Sequence, residues 1–149
     1  MVTELVFALE FRGHGGPSGT STTTRRARTT APSQILSTVL KAGSIDTAVQ
    51  PIDGDTAVLD STVERFPDGS FEEKGTIAYG RFGSVSFTTV GRGTVGPCPI
   101  DGWVHGAVIW TITGGEGHLA EARGLITSNF VASAQGEVID NHVARLYLR

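Results

Sequence analysis

Asp55-Thr56-Ala57-Val58-Leu59-Asp60-Ser61-Thr62-Val63-Glu64-Arg65-Phe66, then Pro67-Asp68-Gly69, then Ser70-Phe71-Glu72-Glu73-Lys74-Gly75-Thr76-Ile77-Ala78-Tyr79: this stretch decides the fold. The first run reads as a strand. Pro67-Asp68-Gly69 then supplies turn chemistry, with Pro presetting φ and Gly tolerating the left-handed region. In the returning run Phe71, Glu73, Gly75, Ile77 and Tyr79 fall on one face, the period of two that marks a strand. Two such runs around a tight turn make an antiparallel hairpin.

The pattern continues outward in both directions. Downstream, Gly80-Arg81-Phe82-Gly83 turns the chain into Val85–Val90, and a Gly- and Pro-rich link, Gly91–Gly102, leads to the β-branched and aromatic run His105–Thr113. Arg123–Ala132 and Glu137–Leu148 follow, joined near Ser133-Ala134-Gln135-Gly136. Upstream, Glu4–Phe11 alternates, with Leu5, Phe7, Leu9 and Phe11 on one face and Glu4, Val6, Ala8 and Glu10 on the other. Gln34–Lys41 is ambiguous between a helical turn and a strand. No amphipathic helix of a dozen residues interrupts the series. Strands at roughly 10–15-residue spacing make a meander or barrel. A closed barrel also removes the exposed edges that a sandwich would leave. The expectation is an all-β chain forming one domain over residues 1–149, a small antiparallel closed barrel of about eight strands. The polar stretch Arg12–Ser33 reads as a long N-terminal loop over the barrel mouth, with Arg25-Arg26-Ala27-Arg28 as a solvated basic cluster.

Composition bounds the rest. The chain has 149 residues, enough to bury a core without staples. Hydrophobic residues are 39% and charged residues 18%, which excludes disorder and membrane spans alike. A net charge of −3 argues against nucleic acid as a partner. Twenty glycines supply the many turns of an all-β chain. Cys98 is the single cysteine, so no intrachain disulfide forms, and between Pro97 and Pro99 it reads as an inert loop thiol. The N-terminus lacks the basic and apolar regions of a signal peptide, so a reducing cytoplasm is the expected location.

The segment Ile112-Thr113-Gly114-Gly115-Glu116-Gly117-His118-Leu119-Ala120-Glu121-Ala122-Arg123-Gly124 resembles the glycine turn of the allene oxide cyclase and dirigent barrels, and of a bacterial group sharing that barrel. In those proteins a strand ends in an apolar residue, followed by Gly-Gly-x-Gly, an apolar residue, a small residue and a glycine. The resemblance covers about a tenth of the chain closely and the rest in strand order. It implies an antiparallel barrel around an apolar cavity, a homo-oligomer (trimer or dimer), and chemistry without metal or organic cofactor. Cyclases of the family close a ring on an unstable epoxide, and dirigent proteins orient radical coupling. Both confine a reactive intermediate in one conformation. The cyclases carry an acid and an amide on the first strand, ahead of a Gly-rich loop with proline. Gly13–Gly19 with Pro17 matches that loop, but a loose alignment sets Ala8 at the acid's position and Glu10 two residues on. Their catalytic set is not reproduced, and Glu10 remains a reserve acid. The same glycines do not make a dinucleotide fingerprint, because no room is left for the helix that would hold a pyrophosphate. They read instead as a turn needing φ > 0.

Polar residues inside apolar strands are the candidates for chemistry. Asp140 and His142 lie two apart, on the face of Val138, Ala144 and Leu146. If that face is the interior, a carboxylate and an imidazole meet in an apolar cavity; otherwise they form an outward patch. Glu73 is either a buried general acid or base, or a surface partner of Arg65 or Lys74. Tyr79, Trp110 and Phe130 either line a substrate pocket or pack the core. Asn129 and Arg145 are polar and mid-strand, and Arg145 holds an anion only if it points inward. His105 and His118 read as strand-end and solvated histidines. The four histidines are scattered, so no metal site is expected, and no nucleophile elbow is present. The leading expectation is a cofactor-independent cyclase or isomerase for a small, largely apolar molecule, with Asp140, His142, Glu73 and Glu10 as acids and bases. Tyr79, Trp110, Phe130, Asn129 and Arg145 would bind the substrate. The alternatives are a non-catalytic carrier of an apolar ligand and an assembly barrel with a filled core. The three differ in what a cavity would contain.

Overall fold

Period-two alternation carries through to nine strands, every pairing antiparallel. They are β1 (Thr3–Pro17), β2 (Thr24–Lys41), β3 (Ser44–Arg65), β4 (Ser70–Tyr79), β5 (Gly83–Thr89), β6 (Gly93–Pro97), β7 (Trp103–Gly117), β8 (Arg123–Ser133) and β9 (Glu137–Leu148). This is a computed structural model that describes the backbone of residues 1–149 and every side chain except those of 53–55. Eight strands close a ring in the order β1-β2-β3-β4-β5-β7-β8-β9, and β9 returns to β1 from Thr3↔Leu148 to His14↔Glu137. The short β6 continues the ring position that β5 vacates, bridging Ser70 of β4 and Gly106 of β7. Among the described residues no helix is long and apolar enough to cross a membrane.

One end of the barrel is filled. Phe7 stacks on Tyr79 at 4.1 Å, Phe87 tilts against Trp110 at 4.3 Å, and Leu146 and Ile126 are fully buried beside them. Burying each such side chain contributes about 1.5–3 kcal/mol. The glycine turn between β7 and β8 closes this end by turning Leu119 and Ala122 inward. Its glycines serve two purposes. Gly117 (φ +64) and Gly124 (φ +147) need positive φ, as expected. Gly115 instead provides space: a Cβ there would lie 2.0 Å from the Leu119 carbonyl oxygen.

The expectation of a long loop over 12–33 is corrected. β1 runs on to Pro17 and β2 starts at Thr24, paired from Arg12↔Thr30 to Pro17↔Arg25. Glycine reads as loop, yet Gly13 is a packing residue here, since a Cβ would meet the Arg28 carbonyl oxygen at 2.2 Å. The Arg25–Arg28 cluster is therefore part of a strand. Gln34–Lys41, ambiguous in sequence, pairs with Ser44–Pro51 as a two-stranded arm past a bulge at Pro32. Leu40 and Ile45 at its tip are exposed.

Candidate functional site

The end of the barrel opposite the glycine turn is open. It holds a cavity of about 540 Å³, walled by Leu59, Val63, Phe71, Val95, Trp103 and Phe130, with Glu73 and Asp140 reaching it from β4 and β9. That volume falls within the range of small-molecule sites, as does the combination of apolar walls with a few convergent polar groups. Strand parity explains the polar pair. On β4, Phe71, Glu73, Ile77 and Tyr79 are all buried, and on β9 so are Asp140, His142, Ala144 and Leu146. Both carboxyls therefore point inward, so the outward alternative for each is corrected.

Glu73 is buried, and removal from water pushes its pKa up to about 8. The charge of Asp140 adds to that rise. Ser61 opposes it by donating a 2.5 Å hydrogen bond to Glu73 Oε1. The Trp110 indole N–H lies near enough to favour the ionised form, but it lacks full hydrogen-bond geometry to any acceptor among the described residues. At neutral pH Glu73 is thus predominantly a carboxylic acid, able to donate a proton.

Asp140 is held from two sides. Ser128 donates to Oδ1 at 2.7 Å, and His142 Nε2 lies 2.8 Å from Oδ2. In the neutral ring, the tautomer protonated on Nε2 donates to the carboxylate. The imidazole sits between Phe11 (4.4 Å) and Trp110 (5.0 Å, edge-on), and its Nδ1 is buried without a partner among the described residues. His142 does not reach the cavity wall, whereas Asp140 does. The histidine stands behind the carboxylate and orients it.

The remaining predicted residues separate cleanly. Phe130 lines the cavity. Tyr79 and Trp110 are fully buried in the packed half and do not reach it, so their assignment to substrate is corrected to core packing. Burial raises the Tyr79 pKa, and its hydroxyl lacks a partner among the described residues. Glu10, Asn129 and Arg145 sit on the outer face, opposite in parity to Leu9, Ser128 and Ala144, so none joins the site. Glu10 pairs with Arg12 at 2.7 Å, and Arg145 pairs with Glu4. His105 and His118 are exposed.

Sequence reasoning missed Ser61, Ser128, Phe71 and Trp103, together with the inward arginines Arg25 and Arg65 at the mouth. The serines had a readable signal, since each shares the inward parity of its strand. Comparison of the chain with protein-family models, with curated proteins and with solved structures found no match.

Proposed function

We propose that the protein is a cofactor-independent isomerase or cyclase acting on a small, largely apolar molecule held in the barrel cavity. The observation that carries this reading is the placement of Glu73 and Asp140 on the wall of one apolar cavity, where burial raises the Glu73 pKa. A carboxyl whose pKa burial raises and a second carboxyl on the same wall can divide the labour of acid and base. Asp140 takes a proton from the substrate, and Glu73 delivers one to the atom where electron density accumulates. One proton leaves and one arrives, so the product is an isomer of the substrate and no electron acceptor is needed. His142 and Ser128 position Asp140, and Ser61 positions Glu73. The apolar walls exclude water and hold the substrate in one conformation. Resemblance to the cyclase barrels supports the same reading from the glycine turn.

The alternatives predict other interiors. A carrier of apolar ligands gains nothing from two buried carboxyls, which cost desolvation without contributing contacts. A filled assembly barrel would leave no cavity of this size. The test is a screen of small enolisable or epoxide-bearing compounds for isomerisation, using wild type and Glu73→Gln. Turnover lost in Glu73→Gln, with ligand affinity kept, supports the reading. Unchanged turnover in that variant refutes it.

A further inference from the structure

The mouth of the cavity carries a charge that the acid–base pair does not use. On β2 and β3 the inward parity that brings Ala27 and Val63 to the cavity also brings Arg25 and Arg65. Arg25 pairs in register with Val63, so Arg65 is its diagonal neighbour across the ladder. Two guanidinium groups on one wall repel, and burial together with Arg65 lowers the Arg25 pKa. Neither has an ion-pair partner among the described residues.

The acids nearby are occupied or uncharged. Asp60 faces outward to Arg26 and Arg28, and Glu64 accepts from Thr24 at 2.7 Å. Asp140 is engaged by Ser128 and His142, and Glu73 accepts from Ser61 where burial raises its pKa to about 8. A pair of inward arginines without a carboxylate, above an apolar cavity, matches the fork geometry that reads oxyanions.

We infer that Arg25 and Arg65 bind the anionic group of the ligand, and that the ligand is a compact carboxylate with a cyclic or aromatic body. The inference rests on the reading of the cavity as a ligand site and adds the ligand's charge and size. The size follows from register. Arg25, Val63 and Glu73 form one cross-strand row. Neighbouring strands are about 4.8 Å apart, so the Arg25 and Glu73 backbones lie about 10 Å apart. The two groups thus stand two strands apart in one row, a spacing suited to a compact molecule such as a bicycle and not to a long chain. Phe71, Trp103 and Phe130 offer flat surfaces to such a body.

The experiment titrates the protein with 2-naphthoate and with its uncharged isostere 2-naphthamide, following tryptophan quenching. Naphthoate should bind wild type at least about tenfold tighter than naphthamide. Arg65→Gln and Arg25→Gln should each remove most of that preference and leave naphthamide affinity unchanged, while Arg25→Lys keeps part of it. Arg65 is exposed, so its variant keeps the fold, which an unchanged melting temperature confirms. Equal affinity of the two probes for wild type would overturn the inference, as would binding of neither. Sodium phosphate, an oxyanion without an apolar body, should bind at least about tenfold more weakly than naphthoate. If it binds as tightly, the site takes a free anion and the carboxylate assignment fails. None of these results depends on turnover, so the acid–base reading stands or falls separately, on Glu73→Gln.

Discussion

Asp140 on β9 and Glu73 on β4 face one cavity, and the charge on Asp140 adds to burial in keeping Glu73 protonated. Each carboxyl has its own serine, Ser128 at 2.7 Å and Ser61 at 2.5 Å, so the two halves of the site are built alike and then set apart by histidine.

Stability should fall as pH rises through the range in which Glu73 is protonated only in the fold. Its folded pKa, about 8, lies above the ordinary carboxyl value of 4.5. Between those values the native state binds more protons than the unfolded chain, so unfolding free energy decreases with pH. The loss begins above the unfolded pKa and is complete above the folded one, with a size of a few kcal/mol. Urea denaturation at pH 5, 7 and 9 should show this slope in wild type, and a flatter one in Glu73→Gln.

Ser61→Ala should raise the Glu73 pKa further, because the serine hydroxyl favours the ionised form. Infrared difference spectra should show the protonated-carboxyl C=O band persisting to higher pH than in wild type. A band lost earlier would contradict the assignment of Ser61.

His142→Ala should destabilise strongly. It removes a ring packed between Phe11 and Trp110 and leaves the buried Asp140 carboxyl with Ser128 alone. Breaking a buried pair costs about 3–5 kcal/mol. By contrast, Arg145→Ala on the outer face loses an exposed pair with Glu4 and should cost under about 1 kcal/mol. Chemical denaturation of the two variants side by side checks the difference. Equal costs would mean that His142 is not the buried partner described.

Gly75→Ala should destabilise by about 1–3 kcal/mol, since the new Cβ would lie 2.3 Å from the Asp60 carbonyl oxygen on the paired strand. Gly114→Ala, where a Cβ meets nothing within 4 Å, is the control and should be tolerated. Thermal melts of both decide it.

Strand parity made much of this architecture legible. Phe7, Leu9 and Phe11 on β1 and Asp140 and His142 on β9 follow from counting by two. The same count puts Glu10, Asn129 and Arg145 outside, because each stands between inward neighbours. The part that stayed hidden lies at the mouth. There the inward positions of β2 are Arg25, Ala27 and Thr29, small or polar residues that give no hydrophobic alternation because they border a cavity instead of a core. Without alternation, the glycines at 13, 15 and 16 and the threonines around 22–24 read as loop, so the inward arginines were invisible. Trp103 was lost in the same way, as the first residue of β7, directly after the Gly- and Pro-rich link. The serine partners were readable by parity but carry no chemistry of their own until a carboxyl is placed opposite.

The acid–base chemistry proposed requires that Glu73, on the cavity wall with Asp140, be a neutral carboxylic acid at physiological pH. The most direct measurement is a ¹³C NMR titration of the glutamate side-chain carboxyls, with Glu73→Gln identifying the Glu73 resonance. An apparent pKa near 8 that disappears in the variant is the result predicted. A resonance titrating near the ordinary value of 4.5 would mean that Glu73 is ionised at neutral pH, and the acid–base account would fail.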